Sequence, residues 1–176
     1  MSATSLSLGA TDKEKLILAA FEAKQCAYSP YSKFRVGASL LSTEGQIIKG
    51  ANIENASYGK IFPSSNLTRD AIKPPPLGGT ICAERTAFVK AVSEGTKNFS
   101  ALAVVTDLKS AVSPCGMCRQ VIREFCKPHM PILLVPVDYE DRKSKGDPDG
   151  GILHTSIEEL LPHSFGPEHL ELPRET

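Results

Sequence analysis

The feature that most constrains the fold is the alternation of helix patterns and short, wholly apolar runs in the second half of the chain. Residues 101–106 and 132–135 are typical of strands that are buried on both faces of a sheet. Amphipathic helices are predicted at about 80–94 and from Ser113-Pro114 to Pro128, where proline ends the pattern. Alternation of this kind predicts an α/β fold in which helices cover one mixed sheet in three α/β/α layers.

The first half of the chain adds a helix and a hairpin. A helix of about four turns is predicted from Thr11, which has the spacing of a capping box with Glu14. Residues 34–41 and 46–52 are predicted to be two strands joined by a Ser-Thr-Glu-Gly turn. Together with a last strand at Ile152-Leu153, these segments bring the mixed sheet to five strands.

Residues 59–79 do not fit this pattern. They contain three consecutive prolines and no sustained periodicity, so we interpret them as a long loop insertion. The rest of the chain needs only one domain, spanning residues 1–176. With 41% hydrophobic residues, such a domain can bury a core without disulfides.

Charge and the N-terminal sequence exclude several classes of partner. Twenty basic residues balance twenty acidic ones, so no net field attracts nucleic acid or an anionic membrane. The N-terminus lacks the pattern of a signal peptide, and no apolar run is long enough to span a bilayer. We therefore expect a cytoplasmic protein, with access to the nucleus left open. In that compartment paired cysteines are more often metal ligands or catalytic groups than disulfides.

The stretch SPCGMCRQ, residues 113–120, carries Cys115 and Cys118, two of only five cysteines. Such a pair fits a redox couple, half of a closed structural zinc site, or part of an open catalytic site. Cys82 is expected at the start of the helix at 80–94, where the positive helix end favours a thiolate. Three thiolates at two adjacent helix starts would leave the fourth position of a tetrahedral zinc open for water.

Glu84 follows Cys82 by two residues. In the first helical turn, its carboxylate can take a proton from an activated water and pass it to a substrate. Its alternative role is to stabilise the helix N-terminus. A redox pair would leave Cys82 and Glu84 unexplained, so an open catalytic site is favoured. Arg85 and Arg119 would offset the negative charge of three thiolates around zinc, and ordinary surface arginines are the alternative.

The combination resembles the zinc deaminases, because Cys82-Ala-Glu84 and Pro114-Cys115-Gly-Met-Cys118 match their signature. Beyond the signature, the chain resembles the small homotetrameric cytidine deaminases from about residue 12 to 170. The resemblance runs through AYSPYSKFRVGASLL, GANIENASYG, ICAERTAF, SPCGMCRQVIREF and ELLPHSFGPEHL. It implies zinc-dependent hydrolytic deamination of cytidine and deoxycytidine in pyrimidine salvage, with one Zn²⁺ per subunit.

The same resemblance implies roles for individual residues. Cys82, Cys115 and Cys118 would hold zinc, and Glu84 would shuttle protons. The positions implied to contact substrate are Phe34, Asn52, Glu54, Ala56, Tyr58, Ala83 and Phe165. Phe34 would pack on the pyrimidine, Asn52 and Glu54 would bind the ribose 3′-hydroxyl, and the Ala83 N–H would meet the base carbonyl. Ala56, Tyr58 and Phe165 match positions that reach the site of a neighbouring subunit.

Without the resemblance, the substrate positions have ordinary alternatives. Phe34 fits a core position, Asn52 to Glu54 fit a solvated strand end, and Phe165 fits a packing anchor. One departure from the family is also clear. Relatives place only a few residues between the tyrosine of NASYG and the first zinc cysteine, whereas here twenty-three intervene between Tyr58 and Cys82.

Three other functions are alternatives to the deamination of cytidine. A deaminase of another cytosine nucleoside would use the same chemistry. A polynucleotide-editing deaminase should carry a basic groove and aromatic platforms, against which zero net charge and 6% aromatic residues count. A non-catalytic structural zinc module should supply a fourth protein ligand.

Overall fold

A computed structural model describes residues 8–56 and 79–173 of the chain. Tyr58 and nearly all of the predicted insertion lie outside the described residues. In chain order the elements are α1 (Ala10–Gln25), β1 (Gly37–Ser42), β2 (Ile47–Ala51), α2 (Ala83–Ser93), β3 (Phe99–Val105), α3 (Gly116–Phe125), β4 (Ile132–Val135), α4 (Tyr139–Ser144), β5 (Leu153–Thr155) and α5 (Ile157–Leu160). None of the helices in these two ranges is both long and apolar enough to cross a lipid bilayer.

The strands form one mixed sheet in the order β2-β1-β3-β4-β5. β3 and β4 are parallel and connected through α3, whereas the other neighbouring pairs are antiparallel. Both parallel strands are almost wholly apolar because each of their faces is covered by helices. The predicted mixed five-stranded sheet is confirmed.

Alternate residues of β3 enter two separate cores. Leu102 and Val104 pack in one cluster with Phe88 of α2. Ala103 and Val105 point the other way and pack in a second cluster with Leu16 of α1. Because successive strand residues face opposite sides, a fully apolar strand buries both faces. The three-layer α/β/α arrangement is therefore confirmed.

Two glycines let helices lie directly on the sheet. A Cβ atom at Gly37 of β1 would collide with the backbone of α1 at Ala20 and Lys24. A Cβ at Gly50 of β2 would lie 2.5 Å from the carbonyl oxygen of Ala83 in the first turn of α2. Only glycine permits approach this close. The start of α2 is thus pressed onto β2, and the end of α1 crosses the start of β1.

The predicted capping box at the start of α1 is wrong. The helix begins at Ala10, with Gly9 as N-cap and no side-chain cap. The Glu14 carboxylate instead accepts hydrogen bonds from the Tyr139 hydroxyl at 2.9 Å and the Lys143 ammonium at 3.2 Å. Both donors belong to α4, a helix that the sequence patterns did not predict. The long-range contact competes successfully with the local cap.

Candidate active site

Three cysteine sulfurs converge where α2 and α3 begin; we call them the three-cysteine cluster. Cys82 is the N-cap of α2, Cys115 is the N-cap of α3, and Cys118 lies in the first turn of α3. The Sγ atom of Cys115 lies 3.8 Å from that of Cys82 and 3.5 Å from that of Cys118. Tetrahedral zinc with bonds of about 2.3 Å holds its sulfurs about 3.8 Å apart. The cluster therefore fits one zinc ion.

Both helices begin later than their sequence patterns predict. The expected starts at about Thr80 and at Ser113-Pro114 are wrong by two to three residues, because Cys82 and Cys115 are the N-caps. Each has extended backbone angles, with φ of −66° in both cases, and turns the chain into its helix. The shift places the sulfurs at the helix ends themselves, where the free N–H groups and the dipole favour anions.

The protein groups of the cluster by themselves favour a thiolate at Cys82. A hydrogen bond from Cys118, with help from Arg85, lowers the pKa of Cys82 to about 5. The same bond to Cys82, together with burial, raises the pKa of Cys118. The two shifts run in opposite directions, so the cluster favours the thiolate at Cys82 over that at Cys118. Metal binding displaces thiol protons, because the thiolate is the form that ligates.

Glu84 lies in the first turn of α2 and is 4% exposed. Burial raises the pKa of its carboxyl to about 7, and the charge of the Cys82 thiolate adds to the effect. A carboxyl in such surroundings is suited to accept and return protons. The requirement that Cys82 start the helix, so that Glu84 can lie beside it, is met.

A pocket of about 260 Å³ opens beside these groups. It is lined by Ser32, Phe34, Val36, Asn52, Glu54, Thr80, Cys82, Glu84, Val104, Thr106, Val112, Ser113 and Cys115. The structure thus brings Phe34, Asn52 and Glu54 to the same pocket as Glu84 and two of the clustered cysteines. Its volume suits a small ligand rather than a large one.

Asn52 holds the pocket wall that carries Phe34. Its side-chain oxygen accepts the Val36 N–H at 2.8 Å, and its amide nitrogen donates to the Phe34 carbonyl at 2.9 Å. Asn52 is buried rather than a solvated strand end. The Asn52 amide therefore hydrogen-bonds the backbone of the wall as a neighbouring strand would. Its second N–H stays available to a ligand.

Glu54 supports the same wall further upstream. Its Oε2 atom accepts the Tyr31 N–H at 2.9 Å and the Ser32 N–H at 3.2 Å. Burial raises the pKa of Glu54, but the bonds from Ser32 and Tyr31 outweigh it and the net shift is downward. The carboxylate is therefore charged at neutral pH, and its remaining lone pairs can accept from a ligand hydroxyl.

The other predicted substrate positions differ in placement. Ala83 is buried as the first residue of α2, where its N–H has no acceptor within the helix. Ala56 and Phe165 are exposed and do not line the pocket of their own chain. The Phe165 ring stacks on His169 with ring centroids 5.4 Å apart. These two residues are available to another molecule, whereas Tyr58 falls outside the described ranges.

The two arginines serve the site in different ways. Arg85 donates through Nη2 to the Thr80 carbonyl at 2.8 Å and to the Cys82 sulfur at 3.6 Å. This places a positive charge beside the cluster, as the sequence suggested.

Arg119 instead hydrogen-bonds the chain directly before Cys115, and these bonds do not reach a sulfur atom. It donates to the Pro114 carbonyl at 2.7 Å, the Leu160 carbonyl at 2.6 Å and the Ser113 hydroxyl at 2.8 Å. These bonds hold Ser113 and Pro114 outside α3, which begins at Gly116 with Cys115 as its N-cap. Direct donation from Arg119 to sulfur stays a prediction.

Four polar pocket residues were not singled out from the sequence as site residues: Ser32, Thr80, Thr106 and Ser113. Thr80 is notable because its buried hydroxyl has no hydrogen-bond partner within residues 8–56 and 79–173. No local pattern marks Thr80. Thr106 could have been found, because it ends a buried strand at the sheet edge where α2 and α3 also begin.

Comparisons with known proteins assign this architecture to a family. Residues 10–134 match the family described as the cytidine and deoxycytidylate deaminase zinc-binding region. The chain belongs to this family. The family match and the three-cysteine cluster together confirm the expected zinc cofactor.

The sequence similarity to individual relatives extends over nearly the whole chain. It is 45% identical over 164 residues to the cytidine deaminase of Sporosarcina psychrophila, covering 93% of this chain and 98% of that protein. It is 41% identical over 158 residues to a probable cytidine deaminase of Dictyostelium discoideum, covering 89% and 86% respectively. The crystal structure of cytidine deaminase from Burkholderia pseudomallei has a TM-score of 0.66 at 36% identity, covering 86% of this chain and 98% of that one.

Proposed function

We propose that this protein catalyses the hydrolytic deamination of cytidine and deoxycytidine to uridine and deoxyuridine, releasing ammonia, as a step of pyrimidine salvage. The observation that carries the proposal is the buried Glu84 carboxyl on one small pocket with Cys82 and Cys115. Support for a nucleoside substrate comes from relatives of 41–45% identity that are named cytidine deaminases or a probable cytidine deaminase.

The proposed zinc ligands are Cys82, Cys115 and Cys118. Within the described ranges, the group of candidate ligands contains these three residues and no fourth. Three protein ligands are typical of catalytic zinc, whereas structural zinc has four. When bound, zinc supplies Lewis-acid activation of a water molecule for hydrolysis. Arg85 offsets part of the negative charge of the thiolates.

Glu84 carries the protons in this proposal. Its carboxylate accepts a proton as the water oxygen bonds to C4 of the pyrimidine, and it returns that proton to N3. A second proton, from the added hydroxyl, passes through Glu84 to the amino group, so that ammonia leaves as the C4 carbonyl forms. Water and cytidine thus give uridine and ammonia, and Glu84 ends in its starting state.

Substrate orientation is assigned to the pocket wall. Phe34, which is half-buried, supplies an aromatic face for the pyrimidine. The second N–H of Asn52 and the remaining lone pairs of Glu54 are proposed to bind the ribose 3′-hydroxyl. The N–H of Ala83 is proposed to meet the base carbonyl. Each of these groups keeps hydrogen-bonding capacity after its contacts within the protein.

We further propose that the protein works as a cytoplasmic homotetramer. Tyr28, Ile53 and Ile81 are exposed apolar residues joined side by side by backbone bridges. Contiguous exposed apolar side chains favour burial against another molecule. In such an assembly Ala56, Tyr58 and Phe165 would complete a neighbouring pocket. None of the five cysteines, all of which lie in the described ranges, forms a disulfide, which suits a reducing compartment.

An ultraviolet assay tests the function. Cytidine, deoxycytidine, cytosine and CMP are each incubated with the purified protein, with and without a zinc chelator. We expect turnover of both nucleosides but not of cytosine or CMP, loss of turnover with the chelator, and recovery with added zinc. A zinc-loaded protein that leaves both nucleosides unchanged would contradict the proposal. Deamination of single-stranded polynucleotides alone would instead identify an editing enzyme.

A further inference from the structure

Asp107 follows β3 and binds the backbone and side chain of one residue in the pocket wall. Its Oδ2 atom accepts the Arg35 backbone N–H at 2.9 Å and the Arg35 Nε at 3.2 Å. Its Oδ1 atom accepts Nη2 of the same arginine at 3.0 Å. A carboxylate held in this bidentate geometry fixes the direction of the guanidinium as well as its distance.

Lys24, in the last turn of α1, pairs with the same carboxylate. Its ammonium lies 3.1 Å from Oδ1 of Asp107 and donates to the Thr106 carbonyl at 3.2 Å. Lys24 is 3% exposed, and a buried ammonium is stable only when paired. The backbone of Lys24 lies against Gly37, so the position from which its side chain extends to the end of β3 is fixed by packing.

The residues on either side of Arg35 form the pocket wall. Phe34 and Val36 line the pocket, as does Thr106 on the facing strand end. The Asn52 amide holds Phe34 and Val36 from one side. Asp107 holds Arg35 between them from the other side. The Phe34 ring is therefore carried by a three-residue segment that is bound on both sides.

We propose that Asp107, anchored by Lys24, is a positioning residue that sets the place of Phe34 against the substrate ring. The substrate part of this inference rests on the proposed function. Phe34 contacts the ring in the ground state and in the transition state alike. Losing its position therefore weakens binding and leaves the chemical step unchanged.

Asp107→Asn removes the charge while preserving the size of the side chain. We expect the KM for cytidine to rise about five- to tenfold, part of what stacking on an aromatic ring contributes to base binding, with kcat within about twofold of wild type. Hydrogen exchange of residues 31–36, measured by mass spectrometry without substrate, should become about tenfold faster.

A second variant separates positioning from stability. Lys24→Met/Asp107→Asn removes the buried ammonium that the single variant leaves without a charged partner, and methionine fills the space. We expect the double variant to recover thermal stability but keep the raised KM and the faster exchange. Asp138→Asn is the control, because it removes the charge from an Asp–Arg pair of 2.9 Å at the N-cap of α4, away from the pocket.

Each outcome is decisive. Unchanged KM in both Asp107 variants, or a fall in kcat at unchanged KM, overturns the inference. Recovery of KM together with thermal stability in the double variant also overturns it, because Asp107 would then be merely structural. If the wild-type protein does not deaminate cytidine, the proposed function fails, and the exchange of residues 31–36 still decides whether Asp107 positions this segment.

Discussion

The Sγ atoms of Cys82 and Cys115 lie 3.8 Å apart, although the residues are 33 positions apart and begin different helices. The contact brings the positive ends of α2 and α3 to one point, where both favour thiolates. The metal site is therefore a property of two converging helix starts and not of the Cys115/Cys118 pair alone.

Removing one sulfur should remove the metal. Cys118→Ala leaves two ligands of the three-cysteine cluster, and we expect bound zinc to fall from about one ion per chain to near zero, with loss of activity. Metal analysis after gel filtration measures the change. Cys126→Ala is the matched control, because Cys126 ends the same helix and burial raises its pKa to about 12. Zinc retained in Cys118→Ala would show that the cluster is not the metal site.

Glu84→Gln should separate chemistry from metal binding. The amide keeps the size of the side chain but cannot carry protons, so we expect kcat to fall by about 10³-fold or more while zinc content is unchanged. The melting temperature should not fall, because a buried carboxyl with a raised pKa already resists ionisation. Glu94→Gln, at the exposed C-cap of the same helix, serves as the control. Near-native turnover by Glu84→Gln would rule out its proton-transfer role.

The contact between β2 and α2 should not tolerate a methyl group. Gly50→Ala places a Cβ 2.5 Å from the Ala83 carbonyl oxygen, so the start of α2 must move away from the sheet. We expect a loss of about 1–3 kcal/mol in the free energy of unfolding, together with weaker zinc binding. Urea unfolding and zinc titration measure both effects. Gly9→Ala is the control for zinc binding: its Cβ would meet ordinary contacts only, and as the N-cap of α1 it does not touch α2, so zinc affinity should stay unchanged.

Asp107 should make the protein sensitive to acid. Burial raises its pKa, but the bonds from Arg35 and Lys24 outweigh this and lower it from 3.8 to about 2. Because the folded pKa is the lower one, the stabilisation is complete above about pH 4–5 and is lost as the pH falls towards 2. We expect wild type to lose about 1–2 kcal/mol more unfolding free energy than Asp107→Asn between pH 5 and pH 2. Parallel pH profiles of the two proteins would show that Asp107 does not contribute this dependence.

Local patterns were sufficient for the parts of the molecule that depend on neighbouring residues. The apolar runs at 101–106 and 132–135 predicted the two central strands because a strand buried on both faces must be apolar throughout. The spacing of Cys82 to Glu84, and of Cys115 to Cys118, predicted candidate zinc ligands and a candidate proton carrier, and the structure brings the three cysteines together. The unpaired N–H groups at a helix start stabilise thiolates and carboxylates. The sequence therefore determined the class of fold and the candidate reactive centre.

Only the tertiary structure decided how the pocket wall is held. The Lys24–Thr106 and Arg35–Asp107 contacts join residues 82 and 72 positions apart, and no periodicity connects them. The Lys24 contact forms because Gly37 lets the end of α1 lie on the sheet, which brings a buried ammonium to the end of β3. The start of α3 likewise lies two residues later than the pattern predicts, beside the long-range bond from Arg119 to the Leu160 carbonyl. Secondary-structure propensity and hydrophobic periodicity depend on residues close together in the chain. A buried charge is stable only when it is paired, and the tertiary packing decides which residue can be its partner.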